Sequence, residues 1–97
     1  MEQHIDPRAP LAAYRDEGKR NGELYARQMR TFVRENFSET SVMPDLSAQV
    51  QHDIEGTADD LRAAGVPPAK VKAYVQAWWR ALRRAIARDD VSGEEAA

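Results

Sequence analysis

The chain contains no cysteine, which excludes disulfides, thiolate metal sites and a cysteine nucleophile, and fits a reducing compartment. Histidine is scarce: His4 and His52 stand far apart in the sequence, so no His-x-x-x-His or Glu-x-x-His pair can form a metal site on one helix. No apolar run approaches the roughly 18 residues that a membrane span requires. The opening residues, MEQHIDPRAP, do not have the basic-then-apolar layout of a secretory signal. There is no glycine-rich phosphate loop. Ser38, Ser41, Ser47 and Ser92 lie in no nucleophile motif and read as caps or loop residues. With 97 residues the chain is the size of one domain with one modest core. A domain this small barely encloses its own apolar groups, which leaves little room for a catalytic pocket. The expectation is therefore a non-enzymatic cytoplasmic protein with no cofactor and no metal.

What the sequence does have is helical periodicity. The longest unbroken amphipathic pattern is Val66–Arg88, VPPAKVKAYVQAWWRALRRAIAR, which holds both tryptophans. Wound at about 100° per residue, Val71, Tyr74, Val75, Trp78, Leu82, Ala85 and Ile86 fall in one arc of about 120°. Lys70, Lys72, Arg80, Arg83, Arg84 and Arg88 fill the opposite side. Trp78 sits near the middle of the apolar arc and belongs in a core. Trp79 falls at its edge, where it is either a half-covered ring under an arginine stem or an anchor for another chain.

Ahead of this segment, residues 1–9 carry few apolar groups and are expected to form a flexible leader. From Leu11, a stripe of Leu11, Tyr14, Tyr25, Met29, Phe32 and Val33 predicts a first helix over about residues 10–36. Gly18 and Gly22 fall on that same stripe. Either they mark a kink, or their missing side chains admit a neighbouring helix. The apolar phase is unchanged across them, so one long helix, bent or straight, is expected. Leu24 lies off the stripe and is expected to show.

NFSETSVMP, residues 36–44, ends that helix, and Asp45 or a nearby serine is a candidate cap for the next. Leu46, Val50, Ile54, Ala58 and Leu61 then predict a second helix over 45–64, with Asp53, Glu55, Asp59 and Asp60 pointing elsewhere. Gly65 suits a left-handed cap, Val66 packs back, and Pro67 and Pro68 stop one helix and start the third, over 68–89. A connection this short makes the second and third helices an antiparallel hairpin. Residues 90–97, rich in Asp and Glu, are expected to be a disordered acidic tail. The fold class is all-α: a small three-helix bundle over 10–89, with a long first helix and a C-terminal helical hairpin.

Charge is segmented. Net charge is −2, but residues 1–34 carry +2, 35–65 carry −6, 66–88 carry +6 and 89–97 carry −4, counted along the sequence. An acidic helix beside a basic one is expected to answer part of the basic face within the molecule. The first helix, longer than its neighbours, is expected to project an apolar stripe that needs cover.

The leading expectation is a protein-interaction module: an adaptor, regulator or inhibitor that binds another protein or forms a homodimer through apolar helix faces. Trp79, Leu24, Tyr74 and Arg80 are the expected interface residues. The alternative is nucleic-acid binding, with Lys70, Lys72, Arg80, Arg83, Arg84 and Arg88 along the phosphates. A membrane surface is the least favoured partner, since two other amphipathic helices are available to cover the apolar side of the third.

Overall fold

Three α-helices account for nearly all of the described backbone: α1 over Leu11–Asn36, α2 over Ser47–Ala63 and α3 over Pro68–Ala96. The computed structural model describes residues 6–36 and 46–96, the side chains of 36 and 88–96 excepted. The leader over 1–5 with His4, the stop segment 37–44, the Asp45 cap and the side chains of Arg88 and Ser92 lie outside the described residues.

The predicted connection between α2 and α3 forms residue for residue. The Val66 N–H donates to the Leu61 carbonyl at 3.1 Å and the Gly65 N–H to that of Arg62 at 3.0 Å. Gly65 has φ of +89°. This is the paired-bond termination in which a left-handed glycine satisfies the last carbonyls. Val66 packs back into the core. The Pro67 carbonyl accepts from Lys70 and Val71, so Pro68 occupies a first-turn position where its missing N–H is harmless. At its other end α2 departs from expectation: Leu46 is the N-cap and makes no side-chain cap bond.

α1 is one helix through Gly18 and Gly22, and the glycines explain how the bundle is held. A Cβ on Gly18 would collide with the Tyr74 carbonyl oxygen, and one on Gly22 with that of Trp78. The two helices therefore pack almost backbone to backbone. Residue numbers rise together along the contact, so α1 and α3 run parallel and α2 runs antiparallel to both. Small residues continue the seam four apart: Ala26 on α1 is buried, as are Ala73, Ala81 and Ala85 on α3. Narrow stripes of this kind let the helices close up and gain dispersion contacts along their length.

α2 stands off from this pair on longer side chains, burying Val50, Ile54, Ala58 and Leu61. With Tyr14, Val71, Tyr74, Trp78 and Leu82 these make the core. At about 1.5 Å per residue, the 17 residues of α2 span about 25 Å, against about 39 Å for the 26 residues of α1 and about 44 Å for the 29 of α3. The longest helix is thus α3, not α1. It continues past residue 89, where the sequence pattern predicted its end, through DDVSGEEA to Ala96. No proline interrupts that run, and each added residue of a nucleated helix gains a backbone hydrogen bond without amphipathic support.

Residues 6–9, expected as part of a loose leader, form a turn closed by Ala9 N–H to the Asp6 carbonyl at 2.8 Å. Two contacts fasten it. The Tyr14 hydroxyl donates to the Asp6 carbonyl at 3.0 Å, and Lys70 Nζ donates to the Pro7 carbonyl at 3.0 Å.

Candidate functional site

An aromatic chain crosses the bundle where all three helices meet. Tyr25 of α1 stands 5.0 Å from Trp78 of α3, tilted by 57°, and Trp78 meets Trp79 edge to face at 5.2 Å. Such edge and tilted geometries are the favoured ones for aromatic rings. The Tyr25 hydroxyl donates to Asp53 Oδ2 of α2 at 2.6 Å, and Gln49 Nε2 donates to Asp53 Oδ1 at 2.8 Å. Burial raises the Tyr25 phenol well above the ordinary tyrosine value, and the hydrogen bond and charge of Asp53 raise it further. The helical period pointed Asp53, with Glu55, Asp59 and Asp60, away from the apolar stripe of α2. His52 and Glu55 are exposed, but Asp53 is half-buried and turned toward α1. Periodicity alone gave no signal for this, because a carboxylate at the margin of a helix stripe turns inward only when a donor faces it.

The predicted interface residues do not converge on one patch. Tyr74 is 6 % exposed and accepts a hydrogen bond from Asn21 Nδ2 at 2.7 Å; it is a core residue and offers no surface to a partner. Burial raises its phenol, the Asn21 bond lowers it in part, and Glu17 raises it. Leu24 is 42 % exposed, but it sits two residues beyond Gly22 and so faces away from α3. Trp79 is half-buried against the core on the α2 side of α3. Arg83 holds its guanidinium carbon 5.6 Å from the Trp79 ring centroid, the half-covered arrangement that an edge position allowed. Arg80 is exposed beside it.

The basic residues divide as well. Lys70 is half-buried, tied to Pro7 and 5.9 Å over the Tyr14 ring, so it is a tether and not a free phosphate contact. Lys72, Arg80 and Arg84 are exposed. Among the described residues the ion pairs that appear are local, Arg8–Asp6, Arg20–Glu17 and Arg62–Asp59, and none joins α2 to Lys72, Arg80 or Arg84. Among the described residues, then, no direct ion pair from α2 answers these three exposed cations of α3.

Two surfaces invite contact. Where α2 begins, α1 and α3 leave Phe32 49 % exposed and Ile86 47 % exposed, although both lie on predicted apolar stripes. The Gly18–Tyr74 and Gly22–Trp78 contacts set residue 30 of α1 level with residue 86 of α3, so the two exposed side chains are at one end of the bundle. Beside Phe32 is a groove of about 400 Å³ lined by Tyr25, Met29, Phe32, Leu46, Gln49 and Asp53. A smaller groove of about 230 Å³ lies between α2 and α3, with Ile54, Glu55, Ala58, Asp59, Val75 and Trp79 in its lining.

No cluster of three or more His, Asp or Glu side chains capable of holding a metal ion occurs among the described residues, and no helix among them is long and apolar enough to cross a membrane. These features define a small all-α bundle that leaves Phe32 and Ile86 half-exposed. Set against protein-family models, curated proteins and solved structures, the chain matches none of them.

Proposed function

We propose that this protein is a non-enzymatic interaction module, an adaptor, regulator or inhibitor that docks another protein or a second copy of itself through apolar helix surface. The supporting observation is the pair of half-exposed large apolar side chains, Phe32 and Ile86, toward one end of the bundle, with the 400 Å³ groove opening beside Phe32. Single exposed apolar residues are ordinary, but two large ones at one end beside an apolar groove are the mark of a contact surface. Solution mass by light scattering, over a range of concentrations and at low and high salt, is the direct test. The expected result is association, with itself or with a protein retained from cell extract, that Phe32→Ser combined with Ile86→Ser abolishes while helicity by circular dichroism stays intact. Association that survives this double substitution overturns the reading.

A second reading is supported by the open cations Lys72, Arg80 and Arg84: α3 lies along nucleic-acid phosphates. It predicts binding that weakens steeply with salt and is abolished by Arg80→Glu with Arg84→Glu. Absent or salt-insensitive binding to DNA and RNA disposes of it.

A further inference from the structure

We propose that the groove between α2 and α3 beside Trp79 receives a single basic side chain, arginine or lysine, from a protein partner. This inference rests on the interaction-module reading and supplies the partner's chemistry. At about 230 Å³ the groove falls below the roughly 300 Å³ at which small-molecule sites begin, so it suits one long side chain. Its floor is apolar, with Ile54 and Ala58 buried beneath it and Val75 half-buried. A lysine or arginine lays its methylene stem along such a floor while its charged head stays at the rim.

The rim carries the charge that selects the head. Asp59 and Arg62 both line the groove and pair with each other at 2.9 Å, so their charges offset and Glu55 is the acid left over. Glu55 is exposed, and no hydrogen bond or ion pair reaches its side chain among the described residues. Trp79 forms the opposite wall, and a tryptophan face is the best aromatic partner for a cation. The ring already accepts one guanidinium, that of Arg83, and Arg83 is not part of the groove's lining. The larger groove beside Phe32 differs: both oxygens of its carboxylate, Asp53, already accept a hydrogen bond, from Tyr25 and Gln49, and the residue is half-buried, whereas Glu55 is exposed.

The probe is the tripeptide acetyl-Leu-Arg-Leu-amide, titrated at up to millimolar concentration into the full chain labelled with ¹⁵N. Its counterpart carries citrulline, which keeps the shape of arginine and removes the charge. The arginine peptide is expected to shift the Trp79 indole N–H and the Glu55 amide, and to bind about fivefold tighter than the citrulline peptide, the range of one partly desolvated cation–aromatic contact. Glu55→Gln, a surface substitution that leaves helicity unchanged, is expected to erase that preference. Equal affinity for the two peptides, no shift at millimolar peptide, or shifts confined to Phe32 and Leu46 would each overturn the proposal. Association through Phe32 and Ile86 is read separately by light scattering, so the arginine preference can fail while docking at that end stands, and the reverse.

Discussion

Gly22 of α1 rests directly on the backbone carbonyl of Trp78 in α3, with no room between them for a side chain. The parallel pairing of α1 and α3 depends on that contact and its repeat one turn earlier, Gly18 on Tyr74. Gly22→Ala gains about 1 kcal/mol of helix propensity but drives a methyl group into backbone that cannot rotate away. Overpacking of this kind costs about 1–3 kcal/mol or more, so a net loss of stability is expected. Gly56, in mid-α2, has nothing within 4 Å of an added Cβ, and Gly56→Ala should gain up to about 1 kcal/mol. Urea denaturation of the two variants gives opposite signs if the seam is as close as described; two gains of equal size would refute it.

Tyr25 and Asp53 join α1 to α2 by one charge-assisted hydrogen bond. Tyr25→Phe keeps the ring on Trp78 and removes the donor, leaving Asp53 with Gln49. A loss of about 1–2 kcal/mol is expected, because hydrogen bonds to charged groups are worth more than neutral ones. Asp53→Asn combined with Tyr25→Phe should cost less than the sum of the two single changes. Strict additivity in that double-mutant cycle would show that the pair does not interact.

All three tyrosines, Tyr14, Tyr25 and Tyr74, have phenols held above the ordinary value, chiefly by burial. The folded state therefore keeps its phenolic protons where the unfolded chain, with tyrosines near 10, has begun to lose them. Stability from these groups is complete below about pH 10 and falls as pH rises beyond it toward the raised folded values. Chemical denaturation in steps through the alkaline range should show this decline, accompanied by phenolate absorbance that appears only on unfolding. Tyr25→Phe should make the decline shallower by one proton. Phenolate titrating near 10 in a fully helical chain is the contrary result.

Lys70 anchors the turn over residues 6–9 to the start of α3. Lys70→Met keeps the stem and removes both the bond to Pro7 and the cation over Tyr14. About 1 kcal/mol of stability should go with them, and the Ala9 amide, bonded to the Asp6 carbonyl, should exchange faster with solvent. Unchanged Ala9 protection would show that Lys70 does not hold the turn.

Much of the fold was legible because single helices obey local rules. The 3.6-residue period identified Val50, Ile54, Ala58 and Leu61 on α2 and Val71, Tyr74, Trp78 and Leu82 on α3 as core. The Gly65–Val66–Pro67–Pro68 run specified its own turn. The same rule put Phe32 and Ile86 on apolar stripes, but periodicity says which side of a helix is apolar, not how far along that side a neighbour covers it, and both side chains are half-exposed. The contact-surface residues were less legible than the core. Trp79 could be assigned to an edge, yet whether that edge faced solvent, an arginine or a groove depended on α2.

The sequence by itself determined three helices, their apolar stripes, the hairpin turn and the segmentation of charge, because each follows from interactions within a few residues along the chain. Only the tertiary structure decided that Gly18 and Gly22 form a seam and not a kink, that Asp53 turns inward to Tyr25, that Tyr74 and Lys70 are structural, and that Glu55 and Trp79 line one groove. Each of these pairs a residue with another distant in sequence. Such a pairing is fixed by how closely two backbones can approach, a quantity set by both helices together.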